Sequence, residues 1–182
     1  MRIITGTLKG RKIAVPADTL IRPTADRTKE SIFNIIEVRK HLLDCSVLDL
    51  FAGSGNLGFE ALSRGAGKVM FVDSASEAVQ SITKTAKNFG IESKIHIVCL
   101  DVMRYIQGPG VAHDIVFADP PYDYEFMGNL PDVILQNGWL KEDGWFVLEH
   151  DKRILFENHP HCVFSKPYGR TIVTIFTPLA NS

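Results

Sequence analysis

From Ser46 to Glu149 the chain alternates short apolar runs with segments in which apolar residues return every three or four positions. The runs fall near 46–50, 68–73, 94–100, 113–118 and 144–149, and the helical segments near 56–64, 76–89, 102–106 and 129–137. A run that is apolar throughout fits a strand covered on both faces, and its alternation with helices is the βαβ rhythm of a parallel sheet. The flanks differ. Residues 25–40 place Ile32, Phe33, Ile35 and Ile36 at helical spacing, which predicts one further helix. Residues 2–7 and 11–15 are β-prone runs around Leu8-Lys9-Gly10, and 162–167 and 171–177 are another such pair around Tyr168-Gly169-Arg170. Both pairs predict antiparallel hairpins. The expected plan is one doubly wound, mostly parallel α/β domain over residues 1–182, with an N-terminal hairpin or arm at 1–24 and the α/β core at 25–182.

Composition narrows this plan. With 182 residues, 45% hydrophobic and 23% charged, the chain has material for one full core, which excludes a disordered chain and a second large domain. A net charge of −1 gives no global attraction to polyanions or membranes. The charge is unevenly spread, however: residues 1–40 hold nine Lys/Arg against four Asp/Glu. Arg2, Lys9, Arg11 and Lys12 lie on the predicted N-terminal hairpin, and Arg22 and Arg27 flank Pro23-Thr24. Arg27 and Lys29 fall in the first turns of a helix, where the dipole favours acids, so a partner for them is expected. The opening residues lack the apolar core of a signal peptide, and no stretch approaches the roughly 18 apolar residues of a membrane span, so a soluble cytoplasmic protein is expected. Cys45, Cys99 and Cys162 are too scattered for a disulfide framework or thiolate zinc site, and His159-x-His161 has no evident further ligand.

Two motifs carry chemistry. In Ser46-Val-Leu-Asp49-Leu-Phe51-Ala-Gly53-Ser54-Gly55-Asn56-Leu-Gly58 a strand runs into a G-x-G-x-x-G turn and then a helix. The glycines permit a sharp turn, close approach of backbone to ligand and tight helix–strand packing. Asp73 closes the next strand about 20 residues on, where a carboxylate accepts ribose hydroxyls. These features alone also suit NAD. Asp49 beside the loop favours a cation over a pyrophosphate, and Asp101, ahead of Val102 and a short helix, is either another acceptor for an adenosine, a helix cap, or both. S-adenosylmethionine, with ribose hydroxyls and a sulfonium but no phosphate, fits this set.

The second motif is Asp119-Pro120-Pro121-Tyr122 at the end of the strand over 113–118. The prolines fix φ and lack N–H donors, so the turn is stiff and presents acceptors. The Asp119 carboxylate and Pro120 carbonyl would take both hydrogens of a planar amino group and aim its lone pair at a methyl donor. Tyr122 would stack on a base lifted out of its helix. The tetrapeptide is also a serviceable strand-ending turn on its own.

The chain resembles the bacterial 16S ribosomal RNA guanine-N2-methyltransferases of the RsmD type. The likeness rests on Arg2-Ile-Ile-Thr-Gly6 with Gly10-Arg-Lys12, on Arg22-Pro-Thr-Ala-Asp-Arg27 through Glu30-Ser-Ile-Phe-Asn34, on Asp49-Leu-Phe-Ala-Gly-Ser-Gly55 through Glu60-Ala-Leu-Ser-Arg-Gly-Ala66, and on Asp119-Pro-Pro-Tyr122, with Tyr168-Gly-Arg-Thr171 similar too. It implies a Rossmann-like seven-stranded methyltransferase sheet, with S-adenosylmethionine over Asp49, Phe51, Gly53, Ser54, Gly55, Asn56, Asp73, Asp101 and Val102. It implies further a guanine amine at Asp119 and Pro120, and 16S ribosomal RNA, within an assembling small subunit, gripped by the basic residues. Where the family usually ends its second strand with Glu, this chain has the shorter Asp73. A DNA adenine-N6-methyltransferase would use the same turn, but the chain has no separate DNA-reading domain. An NAD-dependent oxidoreductase would leave Asp-Pro-Pro-Tyr unexplained. Glu149-His150 ends the fifth strand on the ligand side and reads as an exposed loop pair, with substrate contact as the alternative.

Overall fold

The structure, a computed structural model, describes residues 1–15 and 23–178, the first three of the second stretch by backbone alone. Its core is a seven-stranded sheet in the order β3-β2-β1-β4-β5-β7-β6. Strands β1 (Ser46–Leu50), β2 (Lys68–Asp73), β3 (Ile95–Cys99) and β4 (His113–Ala118) lie at the predicted places and pair in parallel. Helices α2 (Asn56–Ser63), α3 (Ser76–Phe89), α4 (Val102–Ile106) and α5 (Leu130–Gln136) provide the crossovers. The order steps one way from β1 to β3 and the other way from β4 to β5 (Leu140–Asp151), which opens a crevice at the C-terminal ends of β1 and β4. The predicted closing hairpin is present as β6 (Cys162–Tyr168) and β7 (Thr171–Phe176), antiparallel to each other, with β7 antiparallel to β5.

Strand alternation divides the interior into two layers. Val47, Phe71, Ile115, Phe117, Val147 and Ile175 pack under α1 (Pro23–Arg39), α2 and α3, while Leu48, Leu50, Val72, Val116, Phe146 and Leu148 pack under α4 and α5. Gly58 shows how close the first layer is. A Cβ there would sit 2.3 Å from Cε1 of Phe71, so only glycine lets α2 lie this near β2.

Three expectations need correction. Strand β5 begins at Leu140 rather than 144, because the charged Lys141-Glu142-Asp143 hide its start and its register on β4 shifts between His113 and Ile115. The N-terminal hairpin is shorter than the two predicted runs, which form no extended strands. A single antiparallel bridge, Arg2 to Lys12, closes them, because the amides of Ile4 and Thr5 donate to the Glu60 carboxylate (2.8 and 3.0 Å), that of Thr7 to Ser63 O and that of Leu8 to Ser63 Oγ. The arm therefore bonds to α2 as well as to itself, where the Ile3, Gly10 and Ile13 N–H groups donate to the Arg11, Ile3 and Met1 carbonyls. Finally, Lys29 does not await an external partner. It is 1% exposed, with Nζ 2.8 Å from Arg2 O, 2.7 Å from Asn56 Oδ1 and 3.4 Å from Glu60 Oε2, and burial lowers its pKa despite the nearby Glu60.

Candidate functional site

The C-terminal ends of β1, β2, β4 and β5 surround a cavity of about 1030 Å³, closed on one side by Met1 and Thr28 and on the other by Gly169, Arg170 and Thr171 of the β6–β7 turn. This is where an open α/β sheet binds its ligand. Three strand-end acids face into it: Asp73 from β2, Asp119 after β4, and Glu149 of β5. Arg170 is the one cationic side chain among the described residues of the wall.

The glycine loop adjoins the cavity, which it reaches through Phe51. Gly53 and Gly55 take φ of 54° and 77°, and Gly55 caps α2 with no side chain of its own. Phe51, which lines the cavity, also has positive φ (55°), a conformation that costs a non-glycine residue of order 1–3 kcal/mol and is held by its surroundings. Its ring meets Tyr124 edge-on at 4.9 Å. Asp73 fastens the loop to β2: Oδ2 accepts the Gly53 N–H at 2.7 Å and Oδ1 accepts that of Ala75 at 2.9 Å. A carboxylate has about four lone-pair directions, so both oxygens retain capacity for a ligand hydroxyl.

Asp119 and Pro121 are exposed, Pro120 is buried, and all three line the cavity. The turn is fastened at both sides of Tyr122, whose hydroxyl is 2.8 Å from Thr171 Oγ1 and whose carbonyl accepts from Arg153 Nη2 at 3.2 Å. Parallel pairing of Ala118 with Leu148 brings Asp119 and Glu149 side by side at the sheet edge. Glu149 is partly buried and its pKa lies well above the usual carboxylate range, chiefly from desolvation, then from the charges of Asp119 and Asp49. Asp49 is raised in the same direction by full burial, which the Gly58 N–H opposes.

Chain-wide comparison places this site in a lineage. The family profile described as conserved hypothetical protein 95 matches residues 1–177. The chain belongs to that family. Within the conserved hypothetical protein 95 group, Ribosomal RNA small subunit methyltransferase D of Haemophilus influenzae is 36% identical over 156 residues, covering 84% of this chain and 79% of its own. YlbH of Bacillus subtilis, provisionally named an rRNA methyltransferase, is 37% identical over 182 residues, covering 97% and 98% of the two chains. The solved structure of yhhF from Escherichia coli, provisionally a methyltransferase, superposes with a TM-score of 0.86 at 29% identity and covers 100% of this chain and 99% of its own.

Of the positions that the family likeness assigns, the structure gathers Phe51, Asp73, Asp119, Pro120, Pro121 and Tyr122 around the one cavity. Gly53, Ser54, Gly55 and Asn56 build the adjoining loop, where Ser54 is buried with its hydroxyl on Met1 Sδ (3.1 Å) and Asn56 Oδ1 is taken by Lys29. Asp49 is not the unpaired carboxylate that its position suggests. It is 2% exposed and accepts the Gly58 N–H at 2.9 Å, so it holds the loop from beneath. Asp101 caps α4 through the Arg104 N–H (2.9 Å), and Val102 is buried behind it.

The basic residues divide. Arg2, Lys9 and Arg27 line a separate recess of about 260 Å³, shared with Asp26 and Glu30. Lys12 is exposed beside it. Arg11 instead spreads over the Phe89 ring at 4.4 Å and donates to the Asn88 and Phe89 carbonyls at the end of α3. Arg22 lies outside the described residues. Glu149-His150 is not an exposed loop pair: Glu149 lines the cavity, and His150 is 0% exposed with Nε2 2.8 Å from Thr174 Oγ1. Its signal was available, since the C-terminal ends of the parallel strands in such a sheet border the ligand crevice. Thr28, Arg170 and Thr171 had no comparable signal. His159 and His161 spend their rings on Asp132 (3.3 Å) and the Thr177 carbonyl (2.9 Å).

Proposed function

We propose that the chain is an S-adenosylmethionine-dependent methyltransferase acting on the exocyclic N2 amine of a guanine in 16S ribosomal RNA, presented in an assembling small subunit. The observation that carries this reading is that Asp119 and Pro120 line the same cavity as Phe51 and Asp73, and that Asp73 holds the glycine loop through the Gly53 N–H. The cavity chemistry suits the donor: its acids favour a sulfonium and would repel the pyrophosphate of NAD. Bound there, the donor supplies an electrophilic methyl group. Asp73 would accept ribose hydroxyls, Phe51 would lie against the adenosine, and Asp101 and Val102 would border its base.

Asp119 and the Pro120 carbonyl then each take one hydrogen of the amine, which turns its lone pair out of the ring plane toward the methyl group. Asp119 need not be a strong base, because the amine becomes acidic only as its new bond forms. Tyr122, fixed by Thr171, offers the base a stacking face. Arg2, Lys9, Lys12 and Arg27 would bind RNA phosphate, and Arg22 is proposed with them. A substrate of this kind places the protein in the cytoplasm. No helix among the described residues is long and apolar enough to cross a membrane.

The test is radiolabelled methyl transfer to small-subunit RNA and particles from cells lacking the protein, followed by nucleoside analysis. Labelled N2-methylguanosine at one site supports the reading. Labelled N6-methyladenosine overturns the base, and absence of label with tight NADH binding overturns the chemistry.

A further inference from the structure

Glu149 has a place in the cavity but no task in the reaction as described. It stands beside Asp119 at the sheet edge, and it lines the same cavity. Building on the guanine-N2 reading, we propose that Glu149 is the base-reading residue, its carboxylic acid pairing with the N1–H and O6 of the guanine whose amine Asp119 and Pro120 hold.

The chemistry of the edge leads there. Next to N2 on a guanine lie N1–H, a donor, and then O6, an acceptor. A neutral carboxylic acid carries one acceptor and one donor on a planar group, so it matches this pair with two parallel hydrogen bonds. An ionised carboxylate would still accept from N1–H but would set a second lone-pair oxygen against O6. A purine that keeps the 2-amino group but lacks O6 and the N1 hydrogen can make at most one of the two bonds.

The groups facing Glu149 decide which form is present. Asp119 lies beside it from β4, Asp49 beneath it from β1, Asp73 across the cavity from β2, and Arg170 and Tyr122 come from the flanking turns. Partial burial and two of these acids hold its carboxyl protonated to higher pH than an ordinary glutamate. This is how one carboxylate of a neighbouring pair becomes a donor while the other stays an acceptor.

The experiment uses small-subunit particles reconstituted on ligated RNA with either guanine or 2-aminopurine at the target, methylated by the wild type, E149Q and E149A across pH. The wild type is expected to prefer guanine by at least about tenfold and to lose that rate as pH rises past the ionisation of Glu149. E149Q, which keeps one donor and one acceptor, should retain the preference and lose the alkaline decline. E149A should bring the two substrates to within about threefold while binding the methyl donor as tightly as the wild type. A guanine preference that survives in E149A, or an E149Q enzyme that keeps the decline or discriminates no better than E149A, overturns the proposal. If E149A does not bind the donor, the pH profile of E149Q decides alone. Absence of N2-methylguanosine from the wild-type reaction would instead defeat the underlying reading.

Discussion

Replacing Glu60 by Gln tests whether one buried carboxylate fastens the arm beside the site. Glu60 is 0% exposed, and its two oxygens serve four donors: Oε2 takes the Ile4 N–H at 2.8 Å and faces Lys29 at 3.4 Å, while Oε1 takes the Thr5 N–H at 3.0 Å and Arg64 Nε at 2.8 Å. An amide presents one oxygen, so two of these donors would meet an NH₂ group. Hydrogen bonds to a charged group contribute about 1.5–3 kcal/mol each, and removing one member of a buried ion pair costs about 3–5 kcal/mol. Lys29 keeps Arg2 O and Asn56 Oδ1, and Arg64 keeps Glu37 at 2.9 Å, which limits the damage. We expect a loss of about 4 kcal/mol, a large part of the 5–15 kcal/mol typical of a domain. Urea unfolding followed by Trp139 and Trp145 fluorescence measures the total, and amide exchange at Ile4 and Thr5 locates it. A loss below about 1 kcal/mol with unchanged protection of those two amides would refute the reasoning.

Other perturbations follow from the same geometry. Asp119→Ala should reduce methyl transfer by about 10³-fold and leave donor affinity within about threefold, as read by turnover and calorimetry; near-normal turnover would sink the role assigned to it. Gly58→Ala should lose about 2 kcal/mol on thermal unfolding, because overpacking against Phe71 outweighs the roughly 1 kcal/mol helix gain, and a stabilised variant would contradict the contact. His150 is depressed by burial, so its contribution to stability is present above the ordinary histidine value near 6.5 and is lost as pH falls through its lower folded value. His150→Gln should accordingly flatten the acid limb of a melting-temperature profile between pH 7 and 4, and an unchanged limb would point to another group. Arg2→Ala should lower the slope of log affinity for RNA against log salt by about 0.7–0.9, whereas Arg11→Ala, removed from α3, should cost stability and leave the slope alone; equal slopes in the two variants would contradict the division.

What the sequence disclosed and withheld follows from the range of each interaction. Strands β1 to β4 and helices α2 to α5 were legible because βαβ periodicity is local, and the order of the glycine loop and the Asp-Pro-Pro-Tyr turn along the chain placed both at one sheet edge. The charges were misjudged wherever a distant backbone supplied the partner. Lys29 was expected to meet an outside partner because Arg2 O and Glu60 reach it only through tertiary packing, and Asp49 looked unpaired because Gly58 turns its N–H back nine residues later. The start of β5 was hidden by three charged residues that are exposed to solvent at the beginning of the strand. Glu149 was within reach of topology alone, but its neighbour His150 suggested a polar loop, where β7 in fact covers both.

The arm that borders the cavity is joined to the rest of the molecule by contacts spanning 56 residues in sequence, from Ile4 to Glu60. Closure over such a distance is entropically delayed until α2 has formed on the sheet. During synthesis the arm emerges before its anchor, so it waits undocked until the chain beyond residue 64 is out. Its contacts should therefore be absent from the folding transition state, and weakening them should quicken unfolding while leaving the folding rate nearly unchanged. A segment made before its anchor is thus the one that completes the site last.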